Sequence, residues 1–175
     1  MKKAVGVFEY AGHIFRSMPK GILFTTAAGE KVNTMTIGWG KIGIEWGKPV
    51  FIAYIRESRY TKQLLEDNGE FTVNIPYGEY NSRILGYCGT KSGRDADKIS
   101  DMELTTVPSD LISVPGIKEF PLTLECKVIY RQKQDLTAVP AELIERYYPE
   151  IGESGCRDCH IAYYGEIVKA YLIEE

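Results

Sequence analysis

Alternation of apolar and polar positions marks the strands of this chain. Over residues 71–75, Phe71, Val73 and Ile75 share one face and Thr72 and Asn74 the other. This is the period-two pattern of a half-buried strand. Residues 122–130 repeat it, with Leu122, Leu124, Cys126, Val128 and Tyr130 set against Thr123, Glu125 and Lys127. Residues 20–28 (KGILFTTAA) form an apolar run that ends at the turn signal Gly29-Glu30, and residues 49–55 (PVFIAYI) read as a buried strand. Residues 33–40 (NTMTIGWG) and 160–173 (HIAYYGEIVKAYLI) have strand composition, and Gly165 marks a bulge or bend in the second.

Helical spacing appears in three places. Ser58 predicts a cap for a helix over about 59–67, closed by Asn68-Gly69. Tyr80, Ile84, Tyr87 and Cys88 fall on one face of a second helix. Pro140 suits the first turn of a third, with Leu143, Ile144, Tyr147 and Tyr148 on one side and Pro149 as its stop. Strands outnumber helices, and the strand–helix alternation of a doubly wound sheet is missing. The pattern predicts a mainly β protein, an antiparallel β-barrel with peripheral helices.

Composition narrows the function classes. A length of 175 residues, without internal repeat or linker, predicts one domain over 1–175. The formal charge of 21 − 24 = −3 excludes nucleic-acid binding through bulk positive charge. No apolar window is long enough for a membrane helix. The opening MKKAVGVFEYAGHIF imitates a signal peptide faintly, but Glu9, Gly12 and His13 interrupt it and no cleavage site follows. It reads as mature chain, and the four cysteines as reduced thiols in a cytoplasm.

Four segments carry candidate chemistry. Arg56, Glu57, Ser58, Arg59, Tyr60, Thr61 and Lys62 follow a buried strand and open a helix. Guanidinium groups, hydroxyls and free helix N–H groups make a phosphate cradle, and equally a solvated, Ser-capped first turn. The run Gly86 to Asp95 (GYCGTKSGRD) brushes the P-loop pattern but lacks its spacing and follows a helix. With Lys91 and Arg94 it reads as an anion loop or as a plain helix C-cap. Asn33, Thr36 and Trp39 can offer donors, acceptors and an apolar wall to a ring system, or simply form a strand. Cys156-Arg157-Asp158-Cys159-His160 spells a c-type haem attachment site and contains a CxxC. The missing export signal argues against haem, the small ligand count against structural zinc, and the missing βαβ context against a redox disulfide. Ordinary thiols beside one functional or merely exposed histidine remain open. No metal site is assigned. His13 reads as a surface or turn residue, which leaves His160 as the imidazole candidate for catalysis.

In order and spacing these pieces resemble the flavin reductase-like, FMN-binding split-barrel family, and within it the flavoredoxin type. The matching segments are NTMTIGWG at 33–40, PVFIAYIRESRYT at 49–61, GEFTVNIP at 69–76, GYCGTKSGRDADKI at 86–99, LTLECKV at 122–128 and HIAYYGEIV at 160–168. The resemblance implies a Greek-key split barrel, a homodimer and non-covalent FMN near the dimer interface. It gives Asn33, Thr36 and Trp39 to the flavin ring and Arg56, Ser58, Arg59 and Thr61 to the phosphate and ribityl chain. Lys91 falls near the cofactor, Tyr163 where relatives carry an aromatic, and His160 in a segment that reads Asp-His in many flavin reductases. Here Cys159 stands between Asp158 and His160. The implied activity is an NAD(P)H-dependent, flavin reductase-like oxidoreductase. The alternatives are an FMN electron carrier that works with a redox partner protein, and a non-catalytic flavin- or haem-binding sensor on the same barrel.

Overall fold

The computed structural model describes residues 1–151 and 156–174. The chain begins with β1 (Lys2–Ala4), α1 (Val7–Ser17), β2 (Ile22–Ala28), β3 (Lys31–Ile37), β4 (Gly40–Glu45) and β5 (Lys48–Arg56). Next come α2 (Tyr60–Asn68), β6 (Glu70–Ile75), α3 (Arg83–Thr90) and α4 (Lys98–Asp101). A two-stranded ribbon, β7 (Thr106–Val107) with β8 (Gly116–Ile117), precedes β9 (Leu122–Lys133), α5 (Ala141–Tyr147) and β10 (His160–Ile173).

The main sheet is antiparallel, in the order β3-β2-β6-β9-β10-β5-β4, with β1 added to β10. Its end strands β3 and β4 do not pair with each other, yet only Gly38 and Trp39 join them. The two ends of the sheet are therefore tied together at Trp39. Inside the curl, Phe24, Phe51, Ile55, Phe71, Leu124 and Tyr163 belong to one continuous apolar core. Phe24 and Phe71 stack with ring centroids 4.6 Å apart.

A second cluster, including Leu23, Leu85, Ile117 and Phe120, packs α3 and the ribbon on the other face of β2. Both faces of β2 are thus buried, which is why its sequence is a run rather than an alternation. The same cover reaches β9. Thr123 and Glu125, on its polar face, are fully buried, and both Glu125 carboxylate oxygens accept backbone N–H groups, from Asp110 and Leu111, at 2.8 Å.

The expected bulge is present: the β9–β10 register shifts between Tyr164 and Gly165. A Cβ on Gly165 would stand 2.3 Å from Phe71 Cζ, so the bend is also a close approach that only glycine permits. Other expectations change. Residues 33–40 are a strand, a two-residue link and the first residue of β4, not a single strand. Helix α1 lies where only plain mature chain was expected. Helix α3 starts at Arg83, after Tyr80, whose ring instead packs 5.4 Å from Phe120. Helix α5 follows Pro140 as expected, but Leu143 on its apolar side is 41% exposed and only Tyr148, just past its end, is buried. Among the described residues no helix is long and apolar enough to cross a membrane.

Candidate functional site

Two adjoining cavities open beside β3, the end strand of the sheet. Met35 and Arg59 line both. Their volumes, about 190 and about 230 Å³, together match the lower range of small-molecule sites, roughly 300–1,000 Å³.

The first cavity lies between the start of α2 and the turn after α3. Tyr60 and Thr61 occupy the first turn of α2, where backbone N–H groups have no partner within the helix. Opposite them stand Gly89, Lys91, Ser92 and Arg94. The exposed guanidinium of Arg59 and the exposed ammonium of Lys91 make no hydrogen bond or ion pair among the described residues. Arg94 is held in place: Nη1 donates to the Ser58 carbonyl at 3.2 Å, and its guanidinium sits 5.3 Å from the Tyr60 ring centroid. Lys98, which sequence reasoning missed, lines this cavity from a buried position. Its Nζ donates to the carbonyls of Thr34 at 2.8 Å and Cys88 at 3.2 Å, tying β3 to α3. An ammonium has three donors, so one remains for the cavity. Burial lowers the Lys98 pKa and pushes the neighbouring Cys88 thiol up to about 11.

Asn33 backs this wall rather than lining either cavity. Its Nδ2 donates to Thr61 Oγ1 at 2.8 Å, which leaves the threonine its own proton to donate. A Cβ on Gly93 would fall 2.1 Å from Asn33 Oδ1, so the turn can close over Asn33 only as glycine. Ser58 is not the helix cap. Arg59 holds that position without a side-chain bond, while Ser58 binds the Asp158 carboxylate through its N–H at 3.0 Å and its hydroxyl at 2.7 Å.

The second cavity is walled by Thr36, Ile37, Trp39, Tyr54, Arg56 and His160. Thr36 donates its hydroxyl to the Leu85 carbonyl at 2.7 Å. Trp39, 41% exposed, lies against His160 with centroids 4.9 Å apart. Arg56 is committed to the protein: Nη1 donates to the Asp158 carbonyl at 2.8 Å and Nη2 to the Tyr147 carbonyl at 2.7 Å. It brings charge to the cavity without a free fork. His160 pairs with Arg56 across β5 and β10, and its Nδ1 lies 2.7 Å from the Tyr148 hydroxyl. Tyr148 donates its single proton to Gln134 Oε1 at 2.7 Å. His160 Nδ1 therefore carries the ring proton and donates to Tyr148, and Nε2 keeps the lone pair. Burial, then the charge of Arg56, pull the His160 pKa down to about 4, so the ring is neutral near pH 7. Tyr148 orients His160; Asp158 is occupied by Ser58.

Tyr163 is brought to neither cavity. It is buried in the core and donates to Glu66 Oε1 at 3.2 Å. The four cysteines are free. Cys159 donates to Glu57 Oε2 at 3.2 Å, and burial with that carboxylate pushes its thiol up to about 11, the reverse of an activated thiolate. Among the described residues no cluster of three metal-ligating side chains occurs.

The arrangement can hold an anionic group beside Arg59, Lys91 and Lys98 and a planar ring between Met35, Trp39 and His160. Known proteins agree with the architecture. The flavoredoxin of Methanosarcina acetivorans, 26% identical, superposes over 88% of this chain and 68% of that one at a TM-score of 0.63. The flavoredoxin of Desulfovibrio vulgaris (Miyazaki F), 24% identical over 88% of this chain and 69% of that one, has the same fold at a TM-score of 0.65. An uncharacterized protein of Archaeoglobus fulgidus is 36% identical over 100 residues, 57% of this chain and 55% of that protein. The chain thus matches little more than half the length of this curated relative. The sheet is the antiparallel split barrel with peripheral helices of these flavin reductase-like neighbours. The model of the flavin reductase like domain matches residues 15–175, and the chain belongs to that family.

Proposed function

We propose that this chain binds FMN non-covalently and acts as a flavin-dependent oxidoreductase with NADH or NADPH as donor. One observation carries the reading: a cationic, N–H-rich cavity adjoins an aromatic cavity, and Arg59 lines both. A phosphate carrying close to two negative charges asks for several charge-assisted donors. Arg59, Lys91, the third Lys98 proton, the Thr61 hydroxyl and the first-turn N–H groups supply them. Bound FMN would supply hydride acceptance and onward electron transfer, chemistry that no side chain here performs. Trp39 and Met35 would wall the ring. The positive field beside it comes from Arg56 and Arg59, because His160 is neutral and offers an acceptor at Nε2.

Rapid anaerobic mixing of the FMN-loaded protein with NADH, and separately with NADPH, tests the activity. The expected result is bleaching of the visible flavin bands within seconds by one of the two. Bleaching only by a reduced protein donor would replace this reading with the electron-carrier one.

A further inference from the structure

Trp39 and Tyr54 also line a second recess, of about 300 Å³. Its other walls are Phe15, Met18, Pro19 and Gln134, and none of Arg56, Arg59 or His160 reaches it. Among the described residues no charged side chain lines it. Its one amide is oriented from behind: Gln134 Oε1 accepts from Tyr148, so the NH₂ group, with no partner among the described residues, is what remains for the recess. Phe15 and Trp39 stand 68% and 41% exposed at this recess, apolar surface left to water.

These features select a ligand class. An ion would give up hydration here without an opposite charge to meet it. A pure hydrocarbon would leave the amide donor unused. A flat neutral ring with a carbonyl oxygen satisfies both the aromatic walls and the donor, and one or two rings suit the volume. We propose that this recess binds a flat, neutral, conjugated cyclic carbonyl compound, its ring against Phe15, Trp39 and Tyr54 and its oxygen accepting from the Gln134 amide. The site stands independently of the flavin reading.

Duroquinone is a suitable probe, because its fully methylated ring resists addition of the exposed Cys156 thiol. The chain has two tryptophans, so Trp46→Phe leaves Trp39 as the only indole reporter. In FMN-free protein of this background, duroquinone should quench the fluorescence saturably. Gln134→Leu and Phe15→Ala should each raise the dissociation constant by about fivefold or more. Equilibrium dialysis of FMN-saturated protein should show duroquinone still bound. Quenching that does not saturate, or equal affinity in both variants, overturns the proposal. So does displacement by FMN, which would put the probe in the ring cavity. Absence of quenching together with a dimer that Phe15→Ala dissociates would assign the recess to a second copy of the chain.

Discussion

Arg56 and Arg59 stand three residues apart and do different things. The fork of Arg56 is taken by the carbonyls of Tyr147 and Asp158, whereas Arg59 faces both cavities without an acceptor among the described residues. Spacing alone weighs them equally, because nothing local says which guanidinium will meet a distant carbonyl. Arg56→Ala should therefore cost about 2–3 kcal/mol of folding stability, leaving two carbonyls short of a charged donor. Arg59→Ala should stay within about 0.5 kcal/mol. Urea unfolding of the two variants separates them, and equal losses would contradict the assignment. Lys98 was illegible for a similar reason: a lysine after Asp97 looks solvated until the fold buries it against Thr34 and Cys88. His160 makes a pH prediction. Its pKa is about 4 in the fold, lowered by burial and by Arg56 and Arg59 against the opposing Asp158, while the ordinary value is 6.5. Between those values the unfolded chain binds a proton that the folded chain refuses, so stability falls as pH falls through that window. From pH 7 to pH 5 this residue should account for about 2 kcal/mol. Unfolding curves at both pH values should show that His160→Gln reduces the pH dependence by that amount; an unchanged slope would refute the account.

At the scale of elements, periodicity read the strands whose apolar residues alternate with polar ones or form a continuous run, although Thr72 and Asn74, which the alternation puts on a half-buried strand's polar face, are fully buried in the fold. Strand β6, the start of β9 and all of β10 follow from it, as does the stop of α2 at Gly69. It failed where partners come from far away. Strand β4 is short and its Ile44 is 59% exposed, so it carries little apolar signal. Helix α1 packs Val7, Tyr10 and Ile14 on the core and leaves Phe8 and Phe15 exposed; its stretch reads as an apolar run interrupted by Glu9, Gly12 and His13 rather than as a helix face. The polar face of β9 is buried only because Glu125 finds two backbone donors in the 110–111 turn. The glycine bend in β10 was legible, but its reason, the ring of Phe71, was not. Gly165→Ala should cost about 1–3 kcal/mol through overpacking. Thermal and urea denaturation of that variant check this; wild-type stability would mean that the β10 bend is not a close approach.

At the scale of the molecule, one outer face is conspicuously aromatic. Trp46, 62% exposed, lies 6.0 Å from Tyr130, itself 5.0 Å from Tyr164, with Ile44 exposed on the same β4–β5 hairpin. Such a patch is costly to leave wet. We expect a homodimer through it, seen by sedimentation and dissociated by Trp46→Asp; a wild-type monomer would rule this out. The barrel class and the order of its segments were readable in one sequence, because strand count and turn signals survive without partners. The union of two cavities at Arg59 was not, since it needs β3, α2 and the 89–94 turn in three dimensions. The direct test of the central claim is a pair of affinities, FMN and riboflavin, measured in wild type and Arg59→Ala. If Arg59 grips the phosphate, the variant loses about 10–100-fold in FMN affinity and almost none for riboflavin, which lacks the phosphate. Equal affinity of the wild type for both flavins, or an equal loss for both in the variant, would contradict it.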